Sequence, residues 1–264
     1  MTKGPRLGRG RTAEVFVWGD DRALKLFFDW APAAWVEAEA ARTRAAHAAG
    51  LAAPAVEGVV EVDGRRGIVF ERVEGPTLLN RIAAQPWRLA WAARRLAELQ
   101  AQMHAVPAPD FPSQREELER KIRSLPDEAA TVKERALAAL AQLPDGDSLC
   151  HGDFHPDNVV LTARGPIVID WAATVRGHPL ADAARTSLLL QVGAVPPGTP
   201  GRWLIEAGRA LFHRLYLRRY LQLRRAARTQ LEVWRLPIAA ARLEEGIPEE
   251  RAWLLALVRE RLRR

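Results

Sequence analysis

The rhythm of apolar and polar positions changes once along the chain, near residue 75. Ahead of that point the apolar residues come in short runs between turn residues, which is the pattern of strands. Such runs occupy 6–10, 14–18, 22–28, 56–62 and 66–70. Asp63-Gly64 separates the last two, and this pair suits a two-residue hairpin turn that needs positive φ at both positions. The stretch 35–49 is rich in Ala and Glu, lacks Gly and Pro, and stops at Gly50, so it predicts a helix. From residue 78 onward apolar residues recur at intervals of three and four. Helices are predicted over 87–104, 179–190, 201–227, 230–242 and 248–261, with two more across 114–143 broken at Pro126-Asp127. One strand pair interrupts them, 158–162 and 166–170, joined by Ala163-Arg164-Gly165.

These elements predict an α+β chain in two lobes. Residues 1–75 carry a five-stranded antiparallel sheet with one helix, and residues 76–264 are mostly helical. The join falls at 70–75, after the last strand of the sheet. No internal repeat or low-complexity linker is present.

Composition changes this picture little. At 264 residues, 48% apolar and 27% charged, the chain resembles an ordinary soluble globular protein. A single cysteine, Cys150, excludes an internal disulfide framework and fits a reducing compartment. Its place in an apolar run suits a core residue better than a nucleophile. No apolar run reaches the length of a membrane span and none marks a leader, so a cytoplasmic protein without a membrane partner is expected. The net charge of +7 is concentrated late: residues 202–264 hold fifteen Arg against seven Glu. Such an excess suits an anionic partner, but Leu204, Leu211, Leu215, Leu217 and Leu221 alternate with the arginines at helical spacing. Solvated helix faces account for that pattern, and no nucleic-acid recognition motif accompanies it, so nucleic acid is not expected as a partner.

Candidate chemistry is densest at His151-Gly-Asp153-Phe-His155-Pro-Asp157-Asn158 and at Asp170, which ends the strand pair. A strand pair of this length returns the chain to its start, so Asp153 and Asn158 should face Asp170. Two carboxylates and a carboxamide in one place suit phosphoryl transfer from a magnesium nucleotide. Residue economy supports the reading. Asn occurs only at Asn80 and Asn158, and Lys only at Lys3, Lys25, Lys121 and Lys133, in a chain that otherwise uses Arg. Upstream, Gly8 and Gly10 bracket a turn where bare backbone could approach phosphate oxygens, and the Thr12 hydroxyl could reach a terminal phosphate. His151 and His155 sit four apart, but Pro156 and the strand context argue against a helical zinc pair; the two more naturally brace the loop.

The His-Gly-Asp-x-His-Pro-x-Asn run followed by the strand-borne Asp170 resembles the aminoglycoside phosphotransferase and choline kinase branch of the protein-kinase-like superfamily. The resemblance runs in order from the Gly-rich turn to Asp182 and thins beyond residue 200. It implies a two-lobed kinase-like fold, with residues 1–75 as the nucleotide-binding lobe and 76–264 as the catalytic and acceptor-binding lobe. It implies Mg2+ and ATP or GTP, with Asn158 and Asp170 as metal ligands and Asp153 as the residue that receives or orients the acceptor hydroxyl. Lys25, on a strand fifteen residues beyond Gly10, resembles the lysine that holds the α- and β-phosphates. Glu39 is the expected partner of Lys25. Glu37 is the alternative, about 200° away around the helix. The hinge would read adenine through the Glu71 carbonyl and the Val73 N–H, with Phe70 behind it. Asp182, in His178-Pro-Leu-Ala-Asp182, resembles a position that supports the catalytic loop.

Pro179 comes only nine positions after Asp170, and Trp171 stands where protein kinases have the Phe of Asp-Phe-Gly. That leaves no room for the usual protein-substrate dock, so a small-molecule hydroxyl is the expected acceptor. A nucleotide-binding pseudokinase and an aminoglycoside-resistance kinase proper are the alternatives. The first is disfavoured because Lys25, Asp153, Asn158 and Asp170 are all present. The second is disfavoured by the terminal Arg excess, against which only a few acids (Glu206, Glu232, Glu244, Glu245) could face a pocket. Trp203, Trp234 and Trp253 could stack on a sugar or belong to the core.

Overall fold

The structure is a computed structural model and describes residues 3–192 and 201–262. The chain divides into two compact units. One is Met1–Ala84 with Pro156–Ala173; the other is Gln85–His155 with Thr174–Arg264. No described helix is long and apolar enough to cross a membrane.

The first unit is built on five antiparallel strands: β1 (Lys3–Arg9), β2 (Ala13–Trp18), β3 (Arg22–Phe27), β4 (Val56–Val62) and β5 (Arg65–Glu71), in the order β1-β2-β3-β5-β4. The expected five strands are all there, with ends shifted by a few residues. Asp63 and Gly64 have φ of 52° and 72°, so the tight turn between β4 and β5 has the left-handed backbone its residues permit. The strand period of two gives the sheet two apolar faces. Leu24, Leu26 and Val69 pack on one. Ala13, Phe27 and Ile68 pack on the other against Val36 and Ala40 of helix α1 (Ala33–Ala48). Lys25 lies between Leu24 and Leu26 and so leaves their face for the α1 side.

Helix α2 (Leu78–Ala84) and the hairpin Val159–Thr162/Gly165–Val168 complete the first unit. The hairpin was expected with the helices, yet its backbone is tied to the sheet side. Leu161 N–H donates to the Pro76 carbonyl at 2.9 Å, Val168 N–H to that of Ala52 at 2.6 Å, and the Thr77 hydroxyl to Asp157 at 2.8 Å. Gly75 is required there: with φ of 147°, a Cβ would lie 2.1 Å from the Leu161 carbonyl oxygen.

The second unit holds α3 (Leu89–Met103), α4 (Gln114–Arg123), α5 (Ala130–Ala141), α6 (Pro179–Gln191), α7 (Arg202–Arg224), α8 (Arg228–Glu232), α9 (Arg235–Leu243) and α10 (Pro248–Leu262). The expected break at Pro126-Asp127 separates α4 from α5. The expected single helix over 230–242 is instead two, because the α-helical run stops after Glu232 and restarts at Arg235, two residues ahead of Pro237. Two short strands, Ser148–Cys150 and Val175–Gly177, pair antiparallel at the foot of the 151–155 loop; neither was predicted. At three residues each they are too short for a period to register.

Between α3, α6 and α7 the core is polar. Gln100, His104, Asp182 and Thr186 are buried with Tyr216 and Tyr220. Gln100 donates to Asp182 at 2.8 Å and to Thr186 at 2.9 Å. His104 lies 3.0 Å from Asp182 through Nε2 and 2.6 Å from the Tyr220 hydroxyl through Nδ1. Cys150 is close enough to join His104 and Asp182 as a donor trio, but both His104 nitrogens are already engaged. Burial holds the Cys150 thiol well above its ordinary pKa, as suits a core residue. Trp234 is also core, stacked on His178 at 5.2 Å, whereas Trp203 is exposed and Trp253 lines a surface cleft.

Candidate active site

In the first unit, Lys25 Nζ lies 2.6 Å from Glu39 Oε1 and 3.0 Å from Asp170 Oδ1. Glu39 shares a buried face of α1 with Val36, Ala40 and Thr43, the i, i+3, i+4, i+7 spacing that turns one stripe inward. Glu37 points away and pairs with Arg66 at 3.4 Å. Burial alone would lower the Lys25 pKa, but the Glu39 and Asp170 carboxylates outweigh it and raise it to about 12. Burial pushes Glu39 upward and Lys25 draws it back only in part.

Asn158 is buried at the end of a 3₁₀ turn, Pro156–Asn158. Its carbonyl accepts from Ile169 N–H at 2.9 Å, which fastens it to the strand that leads into Asp170. Asp170 has φ of 64°, a left-handed backbone that Asp tolerates better than most residues, and its side chain is 44% exposed. Both side chains offer hard oxygen donors of the kind Mg2+ takes.

The β1–β2 turn is closed by Gly10 N–H donating to the Ala13 carbonyl at 2.8 Å, and the Thr12 carbonyl takes Phe28 N–H at 3.0 Å. A Cβ at Gly8 would meet nothing within 4 Å, and one at Gly10 only the Ala13 oxygen at 3.6 Å. Neither glycine is demanded by packing, so both leave open space beside the backbone. At the other end of the sheet, the Glu71 side chain accepts from Arg164 and, at 3.4 Å, from Ala55 N–H. Arg72 N–H is taken by the Asp21 carbonyl at 3.0 Å, and Val73 is half-buried just past β5.

In the second unit, Asp153 lies 3.4 Å from Arg185 Nη2 and 3.7 Å from His155 Nε2, and its backbone N–H donates to His151 Nδ1 at 3.3 Å. Burial would raise its pKa, but His155, Arg185 and His151 together hold it well below the usual carboxylate range. Gly152, with φ of 79°, is gripped from both sides by α6: its N–H donates to Asp182 Oδ1 at 2.8 Å, and its carbonyl accepts from Arg185 Nε. Asp182 and Arg185 are three apart on one helix face. Burial acts to raise the Asp182 pKa, but His104, Gln100 and the Gly152 N–H lower it on balance.

Sequence reasoning singled out Asp182 and missed Arg185, as well as the polar core behind Asp182. The i+3 spacing of Arg185 from Asp182 was the available signal.

An antiparallel five-stranded sheet carrying Lys25, with Glu39 on its helix and Asp170 beyond the hairpin, joined in sequence to a helical unit, defines a protein-kinase-like phosphotransferase fold. The chain belongs to the phosphotransferase enzyme family, whose sequence profile matches residues 4–220. Among solved structures, aminoglycoside phosphotransferase APH(4)-Ia matches with a TM-score of 0.67 at 18% identity, over 97% of this chain and 92% of that one. A thermostable mutant of it was crystallised as a ternary complex with AMP-PNP and hygromycin B. Amicoumacin kinase in complex with AMP-PNP, Ca2+ and Ami matches with a TM-score of 0.62 at 17% identity, over 96% of this chain and 86% of that one. Among curated proteins, mouse (Mus musculus) acyl-CoA dehydrogenase family member 11 is 46% identical over 55 residues, 19% of this chain. That stretch spans only 7% of the mouse protein.

Proposed function

We propose that this protein transfers the terminal phosphate of a magnesium nucleotide, ATP or GTP, to a hydroxyl of a small molecule in the cytoplasm. The observation that carries the reading is the Lys25–Glu39–Asp170 arrangement in a chain of the phosphotransferase family. Lys25, kept cationic by two carboxylates, is suited to the α- and β-phosphates. Gly8 and Gly10 leave room for phosphate oxygens against the turn, and Thr12 offers a hydroxyl there. The Glu71 carbonyl and Val73 N–H are the groups assigned to the adenine edge. Asn158 and Asp170 would hold Mg2+, which when bound would neutralise phosphate charge.

Asp153 orients the acceptor hydroxyl. That oxygen forms a bond to the terminal phosphorus, the bond from phosphorus to the bridging oxygen breaks, and the nucleoside diphosphate leaves. The hydroxyl proton passes to Asp153. A carboxylate held so far below its ordinary range is a weak base, so orientation is its larger contribution, as a loose transition state allows. The domain reading follows: the sheet unit binds nucleotide, and the helical unit supplies Asp153 and the acceptor contacts.

Thermal unfolding with and without MgATP or MgGTP tests nucleotide binding. At a hundredfold excess over the dissociation constant, stabilisation of about 2.7 kcal/mol is expected, and no shift with either nucleotide would sink the reading. A screen of ATP and GTP consumption over hydroxylated small molecules identifies the acceptor.

A further inference from the structure

Within the helical unit, Asp153 is one end of a chain of ion pairs. Arg185 Nη2 lies 3.4 Å from Asp153 and 2.9 Å from Glu245. Glu245 is also held by Lys121 at 3.3 Å and by Arg242, and Arg242 Nε reaches Glu250 at 2.7 Å. Three carboxylates here meet three cations, Lys121 leads on to Glu117 at 3.9 Å, and Glu117 is paired with Arg120 at 2.7 Å, so the formal charges of these eight groups cancel. Such a surround has no net charge with which to draw either a polycation or an anion toward Asp153.

Arg185 is nearly spent. Its Nε is on the Gly152 carbonyl and its Nη2 on the two carboxylates. Nη1 makes no hydrogen bond to any described residue, and the side chain keeps 14% of its surface exposed. Arg presents its donors in a rigid planar fork. With Nη2 fixed on Asp153, Nη1 is held a guanidinium's width from the carboxylate assigned to the reacting hydroxyl.

Resting on the phosphotransferase reading above, we propose that Arg185 is an acceptor-binding residue and that the acceptor is a neutral compound with hydroxyls on adjacent carbons. One hydroxyl is oriented by Asp153 and attacks phosphorus; its neighbour accepts a hydrogen bond from Arg185 Nη1. Oxygens on adjacent carbons are separated by about a hydrogen-bond length, close enough for one to meet the carboxylate and the other the guanidinium paired with it. An ammonium at the neighbouring position would face a guanidinium and is rejected. A carboxylate or phosphate there would sit among Asp153, Glu245 and Glu250 in a surround already neutral, and is disfavoured.

The test is nucleoside diphosphate release from MgATP and MgGTP over a matched panel. The panel holds neutral sugars, nucleosides and cyclic polyols, their analogues deoxygenated at the neighbouring carbon, hydroxy-carboxylates, and amino sugars. A neutral vicinal diol should be turned over. Its deoxy analogue should lose about 10–100-fold in kcat/KM, as expected for one hydrogen bond from a charged donor. In Arg185→Met and Arg185→Lys the diol should fall toward its deoxy analogue, so the penalty for deoxygenation shrinks, while the nucleotide-induced thermal shift persists. Equal use of diol and deoxy analogue by the unsubstituted protein overturns the proposal, and needs no variant to fold. So does turnover confined to amino sugars or hydroxy-carboxylates, or a nucleotide shift with no turnover of any neutral diol. No shift with either nucleotide instead defeats the phosphotransferase reading, and this proposal with it.

Discussion

Glu39 meets Lys25 at 2.6 Å, while Glu37, two residues earlier on the same helix, faces Arg66 on the other side. The pair is buried enough that each partner depends on the other: the side chains are 3% and 16% exposed. Replacing Lys25 by Met would leave a buried carboxylate opposite Asp170.

Lys25→Met is therefore expected to destabilise the protein by about 3–5 kcal/mol near neutral pH. Glu39 is already raised, and loss of its cation raises it further. A raised carboxylate favours the folded state below its unfolded pKa, and that stability is lost as pH rises through the folded pKa. The variant should thus recover part of its stability on acidification toward the carboxylate range. Denaturant melts at several pH values check this; a deficit that does not change with pH would contradict it.

Asp153→Asn should lower turnover by roughly 10²–10⁴ and leave the nucleotide shift nearly unchanged, while the melting temperature falls because a carboxylate paired with Arg185 is neutralised. Asp170→Asn should differ in kind by shrinking the shift given by MgATP or MgGTP. Calorimetric melts with and without nucleotide separate the two, and identical behaviour would dissolve the distinction in roles.

Asp182→Ala removes the partner of Gln100, His104 and the Gly152 N–H at once, and should cost about 3–5 kcal/mol. The Asp182 pKa is lowered, so its contribution is present above the unfolded carboxylate pKa and lost as pH falls through the folded one. The gap between variant and unsubstituted protein should narrow in acid, measured by urea midpoints across pH. A gap that widened in acid would reverse the assigned sign.

Polycationic aminoglycosides should be poor acceptors. Each acid that might have faced them is paired within the chain: Glu206 with Arg202 at 2.7 Å, Glu232 with Arg228 at 3.4 Å, Glu244 with Arg120 at 4.0 Å, and Glu245 with Arg185 at 2.9 Å. Steady-state kinetics with kanamycin, gentamicin and streptomycin should stay well below about 10⁴ M⁻¹s⁻¹ in kcat/KM, and values at or above that would reverse the expectation.

Period and punctuation were enough to reveal the five strands, α1, the hairpin turn at Asp63-Gly64 and most helices, because each is set by neighbours within one or two turns of chain. Scarcity of Lys and Asn pointed to Lys25 and Asn158. Helical geometry put Glu37 and Glu39 on different faces, and the family resemblance favoured Glu39 as the partner of Lys25. What only the tertiary structure decided depends on residues distant in sequence. Tyr216 reaches Gln100 across 116 positions, and Lys25 reaches Asp170 across 145. The hairpin after Asn158 packs with the sheet because Pro76 and Ala52 supply its backbone partners. Arg185 gained its place from the Gly152 carbonyl and Glu245 together. A local window carries the preference of a segment for helix or strand, but the polar partners that satisfy a buried side chain are chosen by packing, which no window contains.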